Sequence, residues 1–476
     1  MGVKHAKRNK PSQNRKLTLN QQVVQAIPPE SSEPYPAAAN QRHQLLPKAI
    51  GVGVVTGLLA VAFRYSLAIG EDIRGEWLRL AHSHGASGLA CVLLVSVVAT
   101  VLAAWAVARF APEASGSGIP HLKAVLLGHR QFRWHRVIFV KFFSGLIAIS
   151  TGLTLGREGP TVQMGSAVGH AFASDVNNNV DANRIFVAAG GGAGLAAAFN
   201  APLSGLMFVL EELQKNCGSA VFFQSAVACL TADMICRQLL GQSPIYPLLI
   251  ANAPPLFLLP AVIPLGAVCG ILGVAFNRSL LAGQSLVVLP MSGRVCYWVG
   301  WGGVIGLVGW WGPELLGGGQ AMVQQILQDQ SMPKHLIALY FLLRFFLTVG
   351  SYSTGVAGGI FAPVLVLGAL LGLAMADLTE QWFTLLPFEK MAFIVVGMAA
   401  FFSGVVRAPL TGMVLMIEMT ASYELVLPLF LACFVAVAVA DGLNDAPIYE
   451  ALLKRDLQRG RNVSMTLRHQ VDLFSV

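Results

Sequence analysis

Charge is what this chain has little of. Only 12% of its 476 residues are Asp, Glu, Lys or Arg, against 55% that are hydrophobic, and the mean hydropathy is +0.63. A water-facing surface needs about twice that charge, so a soluble enzyme is excluded. Nor is a cleavable leader expected: the first 47 residues are polar and basic and hold no apolar core segment. The first membrane helix is therefore expected to act as its own insertion signal. The seven cysteines are odd in number, scattered, and nowhere spaced C-x-x-C, which argues against a disulfide framework and a thiolate metal site; they read as small buried hydrophobes. After residue 450 only 26 residues remain, too few for another folded domain.

What fills the chain instead is long apolar runs. Residues 49–70, 88–108 and 424–440 approach or reach the roughly 20 residues that cross about 30 Å of hydrocarbon. The fold class expected is an all-α polytopic membrane protein. Its 49 glycines and 24 prolines fall largely inside apolar stretches, which predicts short, broken and re-entrant helices packed closely. Residues 1–48 hold eight Lys/Arg against Glu30 and Glu33, and residues 451–476 hold five against Asp456 and Asp472. Both ends are then expected on the cytoplasmic side, with an even number of crossings. Basic tails have a use at an anionic lipid leaflet, so no nucleic-acid partner is expected. The domains read as a disordered basic tail over 1–47, one membrane unit over 48–450, and a short basic cytoplasmic tail over 451–476.

The membrane unit is duplicated. Gly156-Arg157-Glu158-Gly159-Pro160 runs on to Gly165, and Gly359-Ile360-Phe361-Ala362-Pro363 runs on to Gly368 with the same spacing, 203 residues later. Ala201-Pro202-Leu203-Ser204-Gly205 ends at Glu211, and Ala408-Pro409-Leu410-Thr411-Gly412 ends at Glu418, 207 residues later. Two ordered pairs at a near-constant offset predict repeats of roughly 48–250 and 251–450. Interrupted hydrophobic segments at matching positions point to a transport site between two repeats, which precedent in transporters makes inverted.

Several of these segments suit an anion. Gly116-Ser117-Gly118-Ile119-Pro120, Gly156 to Pro160 and Gly358 to Pro363 each join a flexible bend to a proline, which favours the first helical turn. Helix tips bring unpaired N–H groups and a positive dipole end, and several together replace an anion's water without holding it too tightly. Gly190-Gly191-Gly192 with Gly194 reads as close helix packing. Glu158 stands in one of the breaks. An acid in hydrocarbon costs about 2.5–3.5 kcal/mol, so it is functional by default; the alternative is a structural ion pair with Arg157. Its neutral form is favoured there, so it can exchange protons, and its ionised form can itself occupy an anion site.

These four segments, Gly116 to Pro120, Gly156 to Pro160, Gly359 to Pro363 and the late Tyr449, resemble the signature set of the CLC family of chloride channels and H⁺/Cl⁻ exchangers, over about residues 48–455. The resemblance implies a transporter rather than an enzyme, with chloride as bound substrate, no cofactor and no metal. It implies that Ser117, Gly118, the Ile360 and Phe361 amides and the Tyr449 hydroxyl hold the central anion, and that amides at Arg157 and Gly159 help bind an outer one. Glu158 would be the external gate and proton acceptor, and Glu212 the internal proton acceptor, a position that channels commonly fill with an uncharged residue. Coupled exchange is therefore favoured over a passive voltage- or pH-gated chloride channel. Ser117 implies preference for chloride over nitrate. A homodimer in the cell (inner) membrane, with chloride, protons and lipid as partners, is also implied.

Other residues carry weaker signals. Glu211 and Glu418 read as caps or buried acceptors. His121 and Lys123 stand where relatives often carry acids, and His121 reads as a satisfied interfacial histidine. Lys141 and Arg344, in apolar runs, either set the pore's potential or snorkel. Gly85-Ala86-Ser87-Gly88 resembles the nucleophile segment of intramembrane serine proteases, a reading that requires a histidine within reach of Ser87.

Overall fold

The computed structural model describes residues 35–173, 180–214, 218–248, 254–328 and 332–458. Helix is nearly all it contains, because a backbone in hydrocarbon must satisfy its N–H and C=O groups internally. The first eight helices are α1 (Tyr35–His82), α2 (Gly85–Phe110), α3 (Ile119–Leu126), α4 (Trp134–Ser150), α5 (Glu158–Ala173), α6 (Val180–Phe199), α7 (Pro202–Phe208) and α8 (Ser219–Leu240). A π turn, Val209–Leu213, extends α7. A second series of eight, again with short third and seventh members, follows in α9 (Leu259–Gly283), α10 (Met291–Trp311), α11 (Gln320–Gln328), α12 (Lys334–Ser353), α13 (Phe361–Thr379), α14 (Pro387–Val406), α15 (Pro409–Thr420) and α16 (Val426–Gly442). A last helix, α17, spans 448–458. Eight helices among the described residues are long and apolar enough to cross a membrane. Large apolar side chains such as Phe139, Met234 and Phe346 face outward, a surface that suits lipid and not water.

One expectation needs correction. The tail over 1–47 was to lack structure, yet α1 already runs from Tyr35. The run from Pro36 to Leu46 is rich in Ala, Gln and Leu, good helix formers that let the membrane helix extend outward. Residues 1–34 and 459–476 lie outside the described residues, as does Cys217; the six described cysteines are free thiols.

The halves meet by exchanging hydrogen bonds. Gly116 N donates to Val356 O (2.9 Å), and Gly317 N donates to Gly152 O (3.0 Å). Ala357 N donates to Ser144 Oγ (3.3 Å), and Thr154 N donates to Ser351 Oγ (3.1 Å). At the centre Gly156 and Gly359 form an antiparallel bridge, each N–H donating to the other's carbonyl at 2.8 and 2.7 Å. Bonds in which each half gives the other what it receives are the mark of a two-fold relation.

Caps follow the same rule. Glu418 accepts from Leu203 N (3.0 Å), Ser204 N (2.8 Å) and Ser204 Oγ (2.5 Å) at the start of α7. Glu211 accepts from Leu410 N (3.1 Å), Thr411 N (2.7 Å) and Thr411 Oγ (2.8 Å) at the start of α15. A carboxylate on the orphan donors and positive end of a helix satisfies both, so the capping role read for this pair holds. Glycine does the close packing: a Cβ on Gly165 would overlap the Gly190 carbonyl and the reverse, and Gly368 and Gly397 stand in the same relation across α13 and α14. The packing role of Gly190 holds too.

Candidate functional site

The Gly156 and Gly359 bridge sets two helix starts side by side in the protein's interior. α5 begins two residues after Gly156 and α13 two residues after Gly359, each with proline in its first turn. No side chain fits between them. A Cβ on Gly159 would stand 2.9 Å from Gly359 Cα, Ser117 Cα and Ser117 O, so the three glycine segments picked out in the sequence touch at one place. Gly118 enters α3 at φ +79°, a left-handed conformation that favours glycine, and Gln163 fills the space a Cβ would need.

Around this junction the polar groups are buried and sparsely partnered. Ser117, Glu158, Ile360, Phe361 and Tyr449 are each 0% exposed. The Ser117 hydroxyl lies 3.4 Å from the Tyr352 hydroxyl and 3.4 Å from Ile119 N. Tyr449 stacks on Phe361 with ring centroids 6.2 Å apart, and its hydroxyl has no hydrogen-bond partner among the described residues. The phenol lies within electrostatic reach of both Glu158 and Glu212.

Glu158 folds back over its own helix start. Its Oε2 occupies the space where a Cβ of Gly156 would be and accepts a 3.5 Å bond from Ala362 N of α13. Its Oε1 has no partner among the described residues. Among those residues no ion pair joins it to Arg157, whose Nη2 donates to Ala198 O at 3.2 Å. The carboxylate lies where two helix tips meet, the place an anion would take.

Glu212 sits in the π turn after α7, 3% exposed, with Lys123 Nζ 2.7 Å from its Oε1. That pair was missed in the sequence, although Lys123 had been singled out as a departure; nothing in local spacing links residues 89 apart. Tyr352 was missed as well. The available signal was the polar run Ser351-Tyr352-Ser353-Thr354 at the end of the apolar helix α12. His121 is buried, with its Nδ1 3.4 Å from Gln163 Nε2 and its ring against Phe132, in keeping with a satisfied histidine. Lys141 does not snorkel. It is 0% exposed and donates to Ala114 O (2.9 Å) and Gly116 O (2.6 Å). Ser87 Oγ donates to the backbone oxygen of His84 (2.9 Å) rather than to a ring nitrogen, so the protease reading fails.

Comparisons with known proteins bear on this arrangement. Residues 99–441 match the family model described as voltage gated chloride channel. The chain is 39% identical over 415 residues to the H(+)/Cl(-) exchange transporter ClcA of Vibrio cholerae serotype O1 (strain M66-2), covering 86% of this chain and 88% of that one. It is 36% identical over 415 residues to the transporter of the same name from Cronobacter sakazakii (strain ATCC BAA-894), with the same coverage of each. Among solved structures, a slow cyanobacterial Cl⁻/H⁺ antiporter superposes with a TM-score of 0.83 at 34% identity, covering 87% of this chain and 98% of that one.

Proposed function

From the premise that this chain belongs to the voltage gated chloride channel family, we propose that it exchanges chloride for protons across a membrane, through a pathway built within one chain. The observation that carries this is the Glu158 carboxylate, buried and lying over the tips of α5 and α13, where it takes an N–H bond from Ala362. An ionised Glu158 competes with chloride for that place. A proton removes its charge and gives the helix tips to the anion. Coupling follows, because each exchange of carboxylate for chloride turns on one proton.

Ser117 and Tyr449 supply hydroxyl donors to the central anion, with the Ile360 and Phe361 amides and the Gly118 bend beside them. The amides at Arg157 and Gly159 serve an outer position. Weak dipolar donors suit a substrate that must leave again. Glu212 delivers protons from the cytoplasmic side, held in place by Lys123, and the Tyr449 phenol stands in the field of both acids. The basic tails support cytoplasmic termini in the cell (inner) membrane. The assembly proposed is a homodimer with one complete pathway per subunit, in line with the family the chain belongs to.

Purified protein in liposomes tests the reading. Given a chloride gradient, it is expected to drive protons uphill, recorded with paired chloride and pH electrodes. Chloride flux with no proton movement would reassign the chain to a passive channel.

A further inference from the structure

Lys141 and Arg344 hold equivalent places in the two halves. Each is 0% exposed and donates to carbonyls of the loop before a short helix. The Lys141 ammonium reaches two of them, before α3. Arg344 covers the corresponding loop before α11 with Nη1 alone, donating to Leu315 O (2.9 Å), Leu316 O (3.4 Å) and Gly317 O (3.0 Å). Its Nε and Nη2 are left over, buried and without hydrogen-bond partners among the described residues. The frame asks only for a cation, as Lys141 demonstrates. The surplus donors of Arg344 need another explanation.

They point at the start of α11. Nη2 lies where a Cβ of Gly319 would be, and Cζ would stand 2.9 Å from that atom. Gly317 and Gly319 have φ of +65° and +81°, so the loop keeps its backbone bare as it turns into the helix. The first N–H groups of α11 have no intrahelical partner. Behind the loop is the Glu158 junction: a Cβ on Gly318 would lie 3.5 Å from Leu155 O and 3.9 Å from Cβ of Ala362, the residue whose N–H reaches Glu158. In front, Gly318 and Gln320 are half-buried, so the loop meets the surface. Arg74 and Glu71 reach Gly317 there, 3.6 and 3.4 Å from where its Cβ would stand.

We propose that Gly317-Gly318-Gly319, the N-terminus of α11 and the free edge of Arg344 form a second anion station, the two-fold counterpart of the Ser117 loop. It holds a small monovalent anion, a halide or nitrate, between the Glu158 gate and the surface. The two unpartnered donor atoms of one guanidinium match a single negative charge. The station would gather anions on the gate's side of the protein before Glu158 admits them. This inference rests on the transport reading above.

Crystals of the full chain soaked in bromide test it by anomalous scattering. The wild type is expected to show one peak beside Arg344 Nη2 and Gly319 and another beside Ser117 and Tyr449. Arg344→Lys keeps a cation for the loop carbonyls and removes the spare donors, so the first peak is expected to vanish and the second to stay. In liposomes the same variant is expected to raise the chloride concentration for half-maximal flux from that face roughly tenfold, the effect of losing charge-assisted hydrogen bonds. A peak at Ser117 and Tyr449 with none at Arg344 in the wild type, or an outer peak unchanged in the variant, overturns the station and leaves the transport reading standing. Wild-type crystals with no halide at either place overturn both. Should the variant fail to fold, the wild-type map decides alone.

Discussion

Glu158 and Phe361 occupy the same place in their halves, two residues beyond the glycines of the central bridge. One is an acid lying over two helix tips; the other is an aromatic packed among Phe208, Phe402 and Tyr449. The contrast repeats at the far end of α7. Lys123 and Glu212 pair at 2.7 Å in the first half, whereas the matching positions in the second are Gln324 and Met419. The frame behaves otherwise: Glu211 mirrors Glu418, Lys141 mirrors Arg344, and the glycines of α5 and α6 mirror those of α13 and α14. Duplication supplies converging helix tips twice, and the buried acids Glu158 and Glu212 stand in one copy only. On the exchange proposed above, the anion site is shared between halves while the proton route runs through that single pair of acids.

Breaking the asymmetric part is expected to give the largest effects. Glu158→Gln is expected to abolish proton movement in proteoliposomes while chloride still moves, because the amide can no longer bind and release a proton at the helix tips. Unchanged coupling would end its role. Glu212→Gln is expected to lower proton flux at least about tenfold, the scale of losing a positioned acid, with less change in chloride flux. If both fluxes fell together, Glu212 would belong to the frame and not to the proton route.

Lys123 sharpens the same comparison through stability. Removing the cation of a buried ion pair is destabilising, so Lys123→Gln is expected to lower stability, by at most about 3–5 kcal/mol. The double variant Lys123→Gln with Glu212→Gln is expected to recover most of that loss, because both charges are then gone. Thermal unfolding in detergent measures the series. A double variant as unstable as the single would show that the lysine stem, and not its charge, is what the fold needs.

How much of this could be read before folding depends on the range of each contact. The duplicated Gly-x-x-x-Pro segments and the acid within one of them are local patterns, and they placed the helix tips, the repeat and Glu158. The packing of Gly190 against Gly165 was legible because small residues inside apolar helices have few other uses. Long-range pairings were not. Lys123 meets Glu212 across 89 residues and Tyr352 meets Ser117 across 235, and no periodicity links such positions. Lys141 and Arg344 read either as setting the pore's potential or as snorkelling, since the carbonyls that hold them belong to loops whose path only the fold sets. The eight-residue α3 is also too short to announce itself by hydropathy.

The symmetric part predicts the smallest effects and the strictest equality. Glu211 and Glu418 each bind two backbone N–H groups and one hydroxyl at the start of the other half's helix. Glu211→Gln and Glu418→Gln keep an acceptor oxygen and lose the charge that faces the helix dipole, so each is expected to cost about 1–2 kcal/mol. Chloride-driven proton movement should survive in both. Melting curves of the two variants, run side by side, are expected to coincide. A Glu211 variant that melted normally and lost coupling would mean that the first half's acid has joined Glu212 in the proton route. The two-fold relation would then stop one residue earlier than the hydrogen bonds place it.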